Sequence, residues 1–340
     1  VDSDDFVVDG VVKSRNVISA NGGEGIEVEG NGPDNATEIE IFGNLIGTDQ
    51  TGTLDRGNQG SGVHFNDRTT NSFIGSPDPG GRNLISGNGW AGILLSSSFV
   101  FNNVLVNNFV GTDITGTSAI PNEIGGVIST AGSNNTIGGV DVSRRNLISG
   151  NGGPGVSLGI DTLSYNVQGN LIGTDVTGNV ALGNAGDGIR ISTGANNNLI
   201  GGLAAGAGNV ISGNVDGVVL RDIGTTDNLV QGNLIGTNAS GNGKLPNNGY
   251  GVWLSLGATN NDIGGIEPGA QNVVSGNQSI GVVVEGSNTT NNRILGNHIG
   301  TDRTGLLDLG NGGAGVRFFQ ASSGNQLGSD LDGNDDAQES

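Results

Sequence analysis

An all-β solenoid, wound as a parallel β-helix of about ten coils, is the fold that this 340-residue sequence predicts, and three observations predict it. The first is a repeat. RNVISAN begins at Arg15, RNLISGN at Arg82 and at Arg145, GNVISGN at Gly208 and QNVVSGN at Gln271, so a unit of about 63 residues recurs about five times. The second is a finer period. A glycine followed by Val or Ile stands at Gly25, Gly62, Gly92, Gly126, Gly155, Gly188, Gly217, Gly251, Gly281 and Gly315. The gaps alternate between longer and shorter, so each unit divides into a long coil and a short coil. The third is texture. The apolar runs are short, rich in β-branched residues and bounded by Gly, Asn and Asp, and no 3.6-residue stripe occurs.

Each coil carries three such runs, which in the coil from Gly217 read GVVL, NLVQ and NLIG. Three parallel strands per coil, stacked ~4.8 Å apart, give a rod roughly 50 Å long. Alternation along a strand sends Val218 and Leu220 inward and Val219 outward. A narrow core of Val, Ile and Leu needs few large rings, which fits an aromatic content of 4%.

The 45 asparagines fall in columns. One opens the third strand of every coil: Asn16, Asn44, Asn83, Asn108, Asn146, Asn170, Asn209, Asn233, Asn272 and Asn297. Another opens the second strand at Asn71, Asn103, Asn135, Asn198, Asn228, Asn261, Asn292 and Asn325, interrupted by Ile39 and Tyr165. Such asparagines suit left-handed turns and side-chain ladders. Residues 1–14 read as a strand with an acidic start, 15–328 as the coils, and 329–340 as an acidic tail or linker.

The phrases RN(V/L)ISGN, G(V/I) and NLIGTDxTG resemble the right-handed parallel β-helix repeat family, in particular the secreted bacterial β-solenoid repeat proteins. The resemblance covers about residues 7–328. It implies a right-handed winding and an extracellular or cell-surface setting. It leaves function open, because the family includes pectin-degrading enzymes, uronate epimerases, adhesins and phage spikes.

With 33 acidic and 13 basic residues the net charge is −20, which repels phosphate and argues against a nucleic-acid partner. No run is long and apolar enough for membrane insertion by a helix. Cysteine is absent, which removes disulfides, thiolate metal sites and thiol catalysis. Methionine is absent too, and a chain without oxidisable sulfur suits an extracellular setting.

Two sets of candidate residues stand out. The long coils carry a GTDxTG loop whose acids are Asp49, Asp113, Asp175 and Asp302, with Asn238 in the fourth unit. These are either turn formers or ligands for Ca²⁺, the one cofactor the sequence suggests. A second alternating-acid stretch, Asp330 to Asp336, starts like a calcium loop but has its glycine misplaced. The outward column of the first strand reads Glu27, His64, Leu94, Ile128, Ser157, Arg190, Val219, Trp253, Val283, Arg317. Arg190 and Arg317 flank Trp253, an arrangement that can stack a sugar ring and hold an acidic group, or be covered by a protein partner. No coil is marked out by a cluster of catalytic type, so the sequence points away from an enzyme. The expectation is a non-enzymatic extracellular stalk, adhesin or surface-assembly module that contacts a glycan or another surface protein, with end-to-end self-association through uncapped ends. The alternative is a carbohydrate-binding or carbohydrate-active β-helix of the lyase or hydrolase kind.

Overall fold

The computed structural model describes residues 7–8, 11–12, 15–78 and 80–328. The acidic tail expected over 329–340 lies outside the described residues. Near the N-terminus, Val7–Val8 pairs antiparallel with Val11–Val12.

The coils form three parallel sheets of ten strands each. The first runs from Ile26–Val28 to Val316–Phe319, the second from Glu40–Ile41 to Gln326–Leu327, and the third from Val17–Ile18 to His298–Ile299. The chain is therefore a β-solenoid of about ten turns, as the repeat demands. The one helical turn among the described residues is Val142–Arg144, and no helix there is long and apolar enough to cross a membrane.

Inward positions of the three sheets meet along the axis. Val218, Leu220, Ile211, Val230 and Ile235 are fully buried in one continuous core. Each such side chain contributes roughly 1.5–3 kcal/mol through burial, and each coil rests only on its neighbours.

Asparagine ladders line all three corners. In the third-strand ladder the amide of Asn83 is saturated. Its Nδ2 donates to Ile41 O at 2.7 Å and Asn108 Oδ1 at 2.9 Å, and its Oδ1 accepts from Asn44 N at 3.0 Å and Asn44 Nδ2 at 3.2 Å. The same bonds recur rung after rung, for instance at Asn146, Asn170 and Asn209. A carboxamide has two donors and two acceptor sites, and here all four are used. The amide thus closes the corner backbone, which would otherwise be buried without partners.

The second ladder corrects the sequence reading at two places. The rung below Asn103 is Ser72, not Asn71: Ser72 N donates to Asn103 Oδ1, and the Ser72 hydroxyl accepts from Ile39 N. Asn71 is instead left-handed, with φ 52°. Left-handed geometry belongs to the residue before each rung, as at Asn134, Asn197, Asn260 and Asn291, while the rung asparagines do not adopt it. Nor does Tyr165 break the ladder. Its hydroxyl accepts from Asn135 Nδ2 at 2.7 Å and lies 2.8 Å from Ser129 Oγ. Burial pushes that phenol up to about 12. Gly132 lies beside it: a Cβ there would come within 2.3 Å of Val100 O and 3.2 Å of the Tyr165 hydroxyl oxygen.

A third ladder, at the entry to the first sheet, escaped the sequence reading. Asn58, Asn88, Asn122, Asn151, Asn184, Asn214, Asn247 and Asn277 link side chain to side chain. These are the final Asn of the SGN phrase and its equivalents.

Asn146→Ala strands Asn108 N and Leu105 O and removes one acceptor from Asn108 Nδ2. It is expected to cost about 3 kcal/mol in urea unfolding. Asn146→Asp, which cannot donate, is expected to be no better. A loss below about 1 kcal/mol for either variant contradicts the ladder's role.

Candidate functional site

The GTDxTG loops fold back over the outer face of the third sheet. In the second unit both carboxylate oxygens of Asp113 accept from the Thr115 hydroxyl, at 2.9 and 2.8 Å, and Oδ1 also accepts from Thr117 N and Ser118 N. Asp49, Asp175 and Asp302 repeat the pattern. Asn238 makes the equivalent bonds through Oδ1, to the Ser240 hydroxyl and to Asn242 N and Gly243 N, so a neutral amide closes the loop as a carboxylate does. Burial pushes the Asp49 and Asp302 carboxyls up, but donors from hydroxyl and backbone outweigh it and hold both below their ordinary value.

Successive loops touch. Ile114 N donates to Gly52 O, Val176 N to Gly116 O, Ala239 N to Gly178 O and Arg303 N to Gly241 O. Each loop therefore spans the height of two coils, which is why long and short coils alternate. Beneath the loops lies a second apolar cluster of Leu45, Leu84, Phe109, Leu147, Leu171 and Val210. The GTDxTG phrase of each loop contributes one acid or none, with a second acid, Asp55 or Asp308, closing the first and fifth loops, and among the described residues no group of three or more His, Asp or Glu is placed to hold a metal.

The outward column of the first sheet lies in the register read from the sequence: Arg190 pairs with Val219, Val219 with Trp253, Trp253 with Val283 and Val283 with Arg317. Val219 and Val283 are buried at 1% and 2% exposure, so the column forms a filled strip. Arg317 turns aside onto Phe319, its guanidinium 4.3 Å from the ring centre. Arg190 and Trp253 instead belong to a cluster that the sequence did not reveal. Arg190 Nε donates to Asp187 Oδ2 at 2.7 Å. Asp187 and Asp216 hold the same place in adjacent coils, each just before the glycine that opens the strand, about 4.8 Å apart along the axis. Asp216 Oδ1 accepts from Tyr250 N at 2.6 Å. This approach requires glycine at 249, where a Cβ would sit 2.2 Å from that oxygen. Tyr250 packs edge-on against Trp253 with ring centres 5.6 Å apart, and Trp253 Nε1 is buried without a hydrogen-bond acceptor.

Burial pushes the Asp216 carboxyl up, opposed by the Tyr250 amide and reinforced by the neighbouring Asp187 charge. The cluster thus brings together two adjacent, largely buried carboxyls, one guanidinium and two aromatic rings. The signal for it was the pair of acids at the pre-glycine position, visible only once coils are aligned in register.

The same face carries a second polar group near its first coils. His64 Nε2 lies 2.6 Å from Ser96 Oγ, and His64 Nδ1 lies 3.7 Å from both Glu24 and Glu27. One Glu24 oxygen is already taken by Ser61 N.

Comparison with protein-family models, with curated protein sequences and with solved structures finds no match to this chain.

Two predictions follow from these geometries. Asp113→Asn should unfold within about 0.5 kcal/mol of wild type, as Asn238 implies, whereas Asp113→Ala should lose about 1–2 kcal/mol. Equal losses in both would show that the charge matters. For Asp216 the folded carboxyl is raised above its ordinary 3.8, so its ionisation weakens the fold as pH climbs past that value. Asp216→Asn should therefore melt higher than wild type at pH 7 and show no such advantage at pH 3. A pH-independent difference contradicts the assignment.

Proposed function

We propose that this chain is a non-enzymatic, extracellular structural and adhesive β-solenoid. It serves as a rigid stalk or surface-assembly module, related in kind to the secreted β-helix repeat proteins its motifs resemble. The observation that carries the reading is the contrast between uniform coils and one distinctive patch. Ladder, core and loop repeat with little change from coil to coil, whereas Asp187, Arg190, Asp216, Tyr250 and Trp253 occur together once. A regular scaffold that carries such a patch on its outer face is suited to present it.

The patch suits an extracellular glycan. A sugar ring stacks on an aromatic face, and its hydroxyls pair with carboxylates and guanidinium. This supports carbohydrate binding as the contact the module makes; another surface protein is the competing partner.

The test is retention of the purified chain on immobilised acidic and neutral glycans. Wild type should be retained by at least one glycan, and Trp253→Ala and Arg190→Gln should each weaken retention at least about tenfold. Retention that is unchanged in both variants, or turnover of the glycan by wild type, refutes the proposal.

A further inference from the structure

The chain has few cations, and three arginines face an acid: Arg190 with Asp187, Arg221 with Asp222 and Arg293 with Asp262. Arg15, Arg82 and Arg145 are partly buried, and among the described residues none has a carboxylate within ion-pair distance. Arg82 Nε donates to Asn107 Oδ1 at 3.2 Å and Arg145 Nε to Gly169 O at 2.9 Å, both uncharged acceptors. Arg15 Nε is buried without any acceptor among the described residues. Burial lowers all three guanidinium pKa values, and repulsion from Arg15 lowers that of Arg82 further. Desolvating a cation without a counter-charge is costly, and here it happens three times in one row.

The row is set by the fold. The three arginines precede the third-sheet ladder in alternate coils, two residues before strands Val17–Ile18, Leu84–Ile85 and Leu147–Ile148. They stand about 10 Å apart along the axis. The coils between carry Gly43 and Asn107 at that place, so no long side chain intervenes. In the fourth and fifth units the position is Gly208 and Gln271, which confines the row to the first three units. All three arginines line one cleft of about 400 Å³ whose floor includes Phe109, Leu147 and Leu171. The Arg82 guanidinium carbon lies over the Phe109 ring, 4.0 Å from its centre. The one acid lining this cleft, Asp78, accepts from the Ser76 hydroxyl.

We infer that this cleft is an oxyanion-binding site for a short ligand bearing two or more phosphate or carboxylate groups, held between Arg82 and its neighbours Arg15 and Arg145. Guanidinium forks match both kinds of oxyanion. The net charge of −20 opposes the approach of a long polyanion, so the ligand is small rather than a nucleic acid. The site lies on a different sheet from the Trp253 patch and does not depend on the proposed glycan contact.

The test is calorimetric titration with inorganic phosphate, inorganic tripolyphosphate and citrate, at ionic strength held constant with chloride. Tripolyphosphate or citrate should bind at least about tenfold more tightly than monophosphate, because only they reach two arginines. Which of the two binds better assigns the ligand as phosphoryl or carboxylate. Arg82→Gln and Arg145→Gln should each weaken binding about tenfold or more, Arg82→Lys less, and Arg56→Gln, outside the cleft, not at all. Unfolding midpoints measured without ligand show whether each variant keeps its fold. Absence of binding by all three anions overturns the inference, as does binding that survives both cleft substitutions in folded protein.

Discussion

The interaction on which the rest of the molecule depends is the saturated side-chain amide. A solenoid turns its backbone sharply three times per coil, and each turn buries N–H and C=O groups that no strand can pair. Asparagine answers this with a short side chain that donates twice and accepts twice. Repeated at the same corner, it pairs with its copies above and below while also holding the local backbone. Chains of aligned amides also polarise one another. The ladder is neutral, so ten coils can stack without accumulating buried charge.

The second constraint is register. Because the amides must align, every coil presents its strands at the same height, and outward residues fall into columns. That converts single substitutions into surface features. The Arg190 and Trp253 patch arises from a few departures in three neighbouring coils, and the arginine row from one position in alternate coils. The loops depend on register as well, since each spans two coils and passes a backbone hydrogen bond to the next. Long and short coils therefore alternate for a mechanical reason: a loop on every coil would leave no room for its neighbour.

The period, the strands, the inward and outward alternation and two of the three ladders were legible in the sequence because they repeat. What repeats can be read without coordinates. The third ladder lay in plain view within SGN but was absorbed into the phrase that marks the unit. The one-residue error at Asn71 came from taking the first of a polar pair as the rung, when Ser72 fills it with a hydroxyl. Asp187, Asp216 and Tyr250 were not legible, because the position before the strand glycine varies from coil to coil and its occupants lie about 30 residues apart in the chain. Only exact coil register brings them together. Arg15, Arg82 and Arg145 were visible as the first letter of RN, yet their want of acidic partners is a property of the packed molecule alone.

The most direct test of the account is hydrogen exchange at asparagine side-chain amides, followed by NMR on protein labelled at asparagine nitrogen. Ladder residues such as Asn83, Asn146 and Asn209 should keep their Nδ2 protons as long as neighbouring strand amides do, while exposed Asn179 and Asn242 exchange at once. If the ladder amides exchanged as fast as those two, the corners would be held by something other than the asparagines, and the account would fail.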